Sequence, residues 1–272
     1  MLATGTILQK RYRIERVLGQ GGMGNVYQVT HVRLRRYLAL KELIRITENL
    51  YKQRQFEEQF EAEAQILASL DHPNLATVSD YFIERGNHYL VMEYIEGRTL
   101  SKIVELAPKN IAERRVLTWV GELCDVLEYL HGQTPPVIVR DLKPDNIMLS
   151  AQDRKLRLID FGIAKQSDPR IGTQPIVKGV GTPEYAPLEQ YGNSRTDQRS
   201  DLYALGATML FLLTKVPPPP AFKRQNNSGL HDPRAVNPTV TDTTWAVIQR
   251  LLSLHPDGRP SSAAEVRRWL GL

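Results

Sequence analysis

The 272 residues are 42% hydrophobic and 24% charged, enough for a sizeable core in one large or two modest domains, and 35 Lys+Arg against 30 Asp+Glu leave a net charge of +5. The basic residues are dispersed with no aromatic stacking platform beside them, so nucleic acid is not an expected partner. No run reaches the roughly 18 apolar residues of a membrane span, so no membrane contact is expected from this segment.

The first third reads as short strands and one helix. RYRIERVL, NVYQVTHV and YLALKEL carry β-branched or alternating apolar residues, with a glycine-rich turn between the first two. From Leu50 to Leu70, the spacing of Phe56, Phe60, Leu67 and Leu70 predicts a helix, which stops before the turn signal Asp71-His72-Pro73-Asn74. Two further strands are predicted at Ala76–Phe82 and His88–Glu93. After a short connection near residues 94–97 the pattern becomes helical. Arg114 to Leu130 is amphipathic, and Leu202–Leu213 is apolar nearly all round, which marks a helix buried at a domain centre. A Pro-, Asn- and Ser-rich loop spans 216–240, and two shorter helices close the chain. Cys124, the only cysteine, sits on the apolar face of the Arg114–Leu130 helix and reads as core; no intrachain disulfide can form. With no basic-then-apolar leader pattern at the N-terminus, a reducing cytoplasm is the expected location.

Gly19-Gln20-Gly21-Gly22-Met23-Gly24-Asn25-Val26 fits G-x-G-x-x-G-x-V. Alone, this pattern serves a dinucleotide-binding turn or a plain flexible hairpin as well. The alternating residues after Gly24 put a second strand where a dinucleotide fold needs a helix. Ala39 and Lys41, two apart on a strand, share a face, where a small residue beside an ammonium suits a flat ligand with a phosphate tail. Glu63 falls on the apolar stripe of the Leu50–Leu70 helix; a carboxylate there needs a counter-charge, and Lys41 is the available one. A solvated Lys41 and a Glu63 at a cleft rim remain the simpler alternatives at this point.

VIVRDLKPDNIML, residues 137–149, sets charged side chains between two apolar runs. Nineteen residues after Asp141, another acid, Asp160, ends the apolar run Leu158-Ile159. Two acids and Asn146 offer oxygen ligands for a hard cation and a carboxylate to accept a proton.

In order, GQGGMGNV, LALK at Lys41, Glu63, VRDLKPDN, DFG at Asp160, GTPEYAPLEQ and SDLYALG resemble the protein kinase catalytic domain, in particular the eukaryotic-like serine/threonine kinases of bacteria. The resemblance runs from Tyr12 to Leu270. It implies an α+β, two-lobed fold: residues 1–94 as a small β-rich lobe with one helix, and 95–272 as a larger, mainly helical lobe. It also implies roles. The glycine-loop backbone from Gly19 through Gln20, Gly21, Gly22, Met23 and Gly24 would cover the ATP phosphates. Lys41, paired with Glu63, would hold the α- and β-phosphates, and Asn146 with Asp160 would bind Mg²⁺ or Mn²⁺. Asp141 would orient the substrate hydroxyl and take its proton, with Lys143 beside the γ-phosphate. Adenine would meet the backbone of Glu93 and Ile95 between Leu18, Val26, Ala39 and Met148, with Met92 behind. The implied partners are ATP, Ser/Thr residues of proteins, and a second copy of the chain phosphorylated in trans.

Val139 stands where the family usually has His. Its implied role is packing, in a stack with Leu67, Val78 and Phe161, which Val can serve at the loss of one hydrogen bond. Arg140 would receive a phosphorylated activation segment, with Thr173 the first candidate phosphosite. Thr182 would bond Asp141 and Lys143. The family's A-P-E is altered to Pro187-Leu188-Glu189, and Glu189 has a candidate buried partner in Arg259. Two rival readings stay open: a nucleotide-binding interaction module of the same fold without catalysis, favoured only by Val139, and a small-molecule phosphotransferase, disfavoured by the peptide platform GTPEYAPLEQ.

Overall fold

The computed structural model describes residues 1–21, 24–44, 49–160, 165–166, 182–191, 196–224 and 229–272, with backbone alone at Gly21, Lys52, Gln59, Glu63, Lys165 and Gln166. The chain divides into two units, Met1–Glu96 and Gly97–Leu272. That boundary falls within the connection expected near 94–97, two residues beyond the 94/95 division read from sequence.

The first unit is built on a six-stranded antiparallel sheet ordered β1-β2-β3-β4-β6-β5. Its strands are β1 (Ile7–Leu8), β2 (Tyr12–Gly21), β3 (Gly24–His31), β4 (Arg36–Leu43), β5 (Val78–Glu84) and β6 (Asn87–Glu93), with α1 (Leu50–Ser69) between β4 and β5. Alternation sorts the side chains. Tyr12, Ile14, Tyr27, Val29, Leu38, Leu40, Phe82, Tyr89 and Val91 form one buried cluster. The alternate positions of β3 and β4 pair as Val26 with Lys41 and Gln28 with Ala39, on the other face. The glycine-rich segment is a strand-to-strand turn, since β2 and β3 pair up to Gly21 opposite Gly24. Gly24 has a packing reason to lack a side chain: a Cβ there would overlap the carbonyl oxygen of Glu42. Helix α1 buries Phe60, Ala64 and Leu67, and Phe60 meets Tyr81 of β5 with ring centroids 6.2 Å apart.

The second unit centres on α4 (Gln198–Thr214), whose residues are buried with few exceptions. Asp197 caps its start by accepting from the Arg199 N–H, and Lys215 ends it in the left-handed region at φ 65°. Around it lie α3 (Glu113–His131), α5 (Asp242–Leu251) and α6 (Ala263–Leu270). The sequence reading had not separated β7 (Gly97–Thr99) and α2 (Leu100–Leu106), the latter capped by Thr99 Oγ1 accepting from Lys102 N–H at 3.2 Å. Short strands complete the unit: β8 (Val137–Ile138), β9 (Ile147–Ser150), β10 (Leu156–Leu158) and β11 (Lys165–Gln166). They form a three-stranded sheet ordered β10-β9-β7 and a two-stranded pair of β11 with β8. The 216–240 loop contains the 3₁₀ turns Ala221–Lys223 and Pro233–Ala235. Among the described residues no helix is long and apolar enough to cross a membrane.

Candidate functional site

The stretch between β8 and β9 is held by its own polar groups. The Lys143 ammonium donates to Asp141 Oδ2 at 2.7 Å and to Thr182 Oγ1 at 3.0 Å. The Asn146 amide donates to the Asp141 carbonyl at 2.8 Å and to Asp141 Oδ2 at 3.0 Å. Both side-chain bonds fall on Oδ2, and among the described residues Oδ1 takes part in no side-chain bond. Burial pushes the Asp141 carboxyl up, the Lys143 ammonium opposes that shift, and the Asp160 charge adds to it. Asp145 is exposed. Thr182 reaches the site through Lys143.

Asp160 comes to the same place through hairpin register. Strands β9 and β10 pair Leu158 with Ile147, and beyond the pair the Ile159 N–H donates to the Asn146 carbonyl at 2.9 Å. The ladder therefore sets Ile159 opposite Asn146 and Asp160 one residue further on, two past the end of β10, near enough for its charge to act on Asp141. With the Asn146 amide nitrogen donating to Asp141, its Oδ1 is a neutral oxygen that could ligate a cation, and Asp160 adds a carboxylate. Such a donor set fits a hard divalent cation that takes its remaining ligands from phosphate and water. Among the described residues no group of three or more His, Cys, Asp or Glu could hold a metal ion by itself.

A fully buried carboxylate, Asp201 on α4, fixes the loop from below. Its Oδ2 accepts from the Val139 N–H at 2.9 Å and its Oδ1 from the Arg140 N–H at 2.8 Å. His131 Nε2, at the end of α3, lies 2.8 Å from Oδ2; an ionised carboxylate only accepts, which sets the proton on Nε2. Arg140 itself has φ 65°, and Gln190 Nε2 donates to its carbonyl at 3.1 Å. The sequence reading missed Asp201, His131 and Gln190 as parts of this support. The available signal was an acid inside the apolar run DLYALGATMLFLL.

Val139 is fully buried. Arg140 is 8% exposed, and its Nε and Nη2 have no hydrogen-bond partner among the described residues. Burial pushes its pKa down, with Asp201 opposing. Glu189 and Arg259 form a buried ion pair, Nη1 to Oε1 at 2.6 Å and Nη2 to Oε2 at 3.1 Å. Ser200 Oγ adds a bond to the same Oε1 at 2.8 Å.

In the first unit Lys41 lies on the Ala39 face of β4, its Nζ 6.0 Å from the Phe60 ring centroid on α1, three residues before Glu63. Ala39, Met92 and Ile95 are buried; Leu18 and Val26 keep partial exposure. The Glu93 N–H is taken by the Thr77 carbonyl at 2.8 Å. Leu67 is buried and Val78 half-buried; Met148, in the second unit, is half-buried. Gly22, Met23, Phe161, Ser167, Thr173 and the Glu63 side chain lie outside the described residues.

A sequence model described as protein kinase domain matches residues 12–269. A probable serine/threonine-protein kinase of Streptomyces coelicolor is 34% identical over 268 residues, covering 94% of this chain and 39% of that protein. The serine/threonine-protein kinase pkn2 of Myxococcus xanthus is 36% identical over 274 residues, covering 96% of this chain and 32% of its own. The chain thus spans well under half the length of these curated relatives. Among solved structures, the PknI kinase domain of Mycobacterium tuberculosis superposes with a TM-score of 0.76 at 27% identity, covering 100% of this chain and 99% of that one. The apo form of PpkA-294 gives 0.82 at 26% identity, covering 99% of each chain.

Proposed function

The chain belongs to the protein kinase domain family, and we propose that it transfers the γ-phosphoryl group of ATP to serine and threonine hydroxyls of proteins, including those of its own activation segment. The observation that carries this reading is the bonded set Asp141, Lys143, Asn146 and Thr182, with Asp160 brought alongside by the β9–β10 register. Phosphoryl transfer asks the protein for positioning and charge neutralisation more than for covalent chemistry, and these are the groups that supply both.

In this reading Asn146 and Asp160 would hold Mg²⁺, which would supply positive charge to screen the phosphates. Asp141 turns Oδ1 to the substrate hydroxyl and takes its proton as the oxygen attacks. Lys143, already 2.7 Å from the Asp141 carboxylate, carries its positive charge toward the transferring group. Lys41 binds the nucleotide phosphates, and Glu63 on α1 orients it. Because the Glu93 N–H is bonded to Thr77, an adenine amino group would use the Glu93 carbonyl, leaving backbone donation to Ile95. The buried Arg140 guanidinium, with two nitrogens unpartnered among the described residues, suits a phosphate on the activation segment, with Thr173 as first candidate. Val139 serves as packing and does not disable catalysis. A single buried cysteine suits a cytoplasmic setting.

The test is phosphorylation of a generic serine-rich protein by wild type, Lys41→Met and Asp160→Asn, followed by acid hydrolysis and phosphoamino-acid separation. Phosphoserine and phosphothreonine in the wild type alone are expected. Phosphotyrosine as the main product, or wild-type counts equal to those of the variants, would refute the assignment.

A further inference from the structure

Glu42 follows Lys41 on β4, so the two side chains point to opposite faces of the sheet. Lys41 lies on the Ala39 face, while Glu42 is buried, 5% exposed. Its carboxylate is bonded by neutral groups alone among the described residues, with no cation beside it. Asn25 Nδ2 donates to Oε2 at 3.2 Å and the Tyr27 hydroxyl to the same oxygen at 2.8 Å. The Tyr89 hydroxyl donates to Oε1 at 3.2 Å. Outer partners fix the direction of both hydroxyl bonds. The Leu2 N–H donates to the Tyr27 oxygen at 3.0 Å and Asn87 Nδ2 to the Tyr89 oxygen at 3.4 Å, which leaves each phenol proton for Glu42. A carboxylate held away from water without a counter-charge is costly, and apolar side chains often fill such a place at less cost. What a fully bonded network adds is one fixed arrangement of the strands that carry it.

Those strands also carry the glycine-rich turn and Lys41. Asn25 directly follows Gly24, the last glycine of the turn, and pairs with Glu42 across β3 and β4. Gly24 itself approaches the Glu42 carbonyl oxygen so closely that a Cβ there would overlap it. The turn is thus fastened to residue 42 twice, by backbone at Gly24 and by side chain at Asn25. Tyr89 fastens the other flank of β4, pairing with Glu42 from β6.

We propose that Glu42 is a positioning residue for the nucleotide phosphates: through Asn25 it tethers the glycine-rich turn at a fixed place relative to Lys41. The tether rests on the kinase reading above, in which the turn and Lys41 hold those phosphates. Glu42 faces away from the ligand and touches no reacting atom. Its effect therefore falls on the phosphate part of the nucleotide and leaves recognition of the adenosine part unchanged.

The test measures binding of Mg²⁺-ATP and of adenosine by isothermal titration calorimetry, with a urea midpoint for each variant. Wild type is expected to bind ATP more tightly than adenosine. Glu42→Val and Asn25→Ala should each lower the ratio of the two affinities about tenfold, the scale of a misplaced binding group, while adenosine affinity holds. Glu42→Gln should keep the ratio within about twofold of wild type, because a Gln oxygen accepts from both Asn25 and Tyr27 and its amide can donate to Tyr89. Tyr12→Phe removes a hydroxyl bond to Asp80 elsewhere in the same sheet and should lower the urea midpoint without moving the ratio. If Glu42→Val does not fold, Asn25→Ala, which keeps both tyrosine bonds, decides the matter. Parallel weakening of ATP and adenosine, or an unchanged ratio in Asn25→Ala, would overturn the tether alone and leave Glu42 a core residue. A wild type that binds no ATP would refute the kinase reading and the tether together.

Discussion

At the scale of single residues, the groups that could do chemistry are held by neighbours that cannot. Asp141 meets Lys143 and Asn146 directly, but the backbone that aims it is fixed by Asp201 through the Val139 and Arg140 N–H groups. The Glu189–Arg259 pair anchors the Leu188–Gln190 turn in the same way. Deleting one partner of a buried pair strands the other charge, which costs about 3–5 kcal/mol. Glu189→Ala should therefore lower the urea midpoint markedly, and Ser200 loses its acceptor at the same time. A midpoint within error of wild type would mean Arg259 finds equivalent partners in the carbonyls of Ser253, Leu254 and Arg199 that it already contacts. The singling out of Asp141, Asn146 and Asp160 came from acids set between apolar runs, and the Glu189–Arg259 pairing, which the structure contains, came from the resemblance to the A-P-E pattern. Asp201 carried a similar signal, an acid at the head of an apolar run, but sequence alone does not show that it serves the Val139 and Arg140 N–H groups.

At the scale of elements, register and close approach decide what is adjacent. The β9–β10 hairpin sets Ile159 opposite Asn146 and so carries Asp160, the next residue, to where its charge acts on Asp141. Helix α4 works by contact, and its Gly206 is the narrowest point: a Cβ there would lie 2.6 Å from Leu251 Cβ on α5. Gly206→Ala is expected to cost about 1–3 kcal/mol through forced repacking. Gly121 on α3 has nothing within 4 Å of its would-be Cβ, so Gly121→Ala should instead gain about 0.5–1 kcal/mol from helix propensity. Thermal midpoints of the two variants should move in opposite directions; a shared direction would refute the packing account of Gly206. Long periodic elements such as α1, α3 and α4 were readable to within a few residues. Helix α2 was not, because seven residues give too few turns for a period to emerge, and β7 is only three residues long.

At the scale of the whole molecule, the two units bring different chemistry: Lys41 and the glycine turn in one, Asp141, Asn146 and Asp160 in the other. The division was readable from the change of pattern near 94–97, since strands before it and helices after it need separate cores. Cys124 offers an internal reporter on the second unit. It is fully buried, and burial, with Glu128 adding, pushes its thiol up to about 12, so almost none is thiolate at neutral pH. A thiol reagent at pH 8 should label it only as fast as the unit opens, and denaturant should raise the rate; prompt labelling of the folded protein would contradict the packing of α3. The central claim, that Asp141 and its partners perform phosphoryl transfer despite Val139, is tested most directly by intact mass before and after incubation with Mg²⁺-ATP, beside Asp141→Asn. The account predicts phosphate-sized increments in the wild type and their loss in the variant, since removing the proton acceptor costs about 10²–10⁴-fold in rate. Equal increments in both proteins, or none in either with a generic Ser/Thr protein also left unmodified, would contradict it.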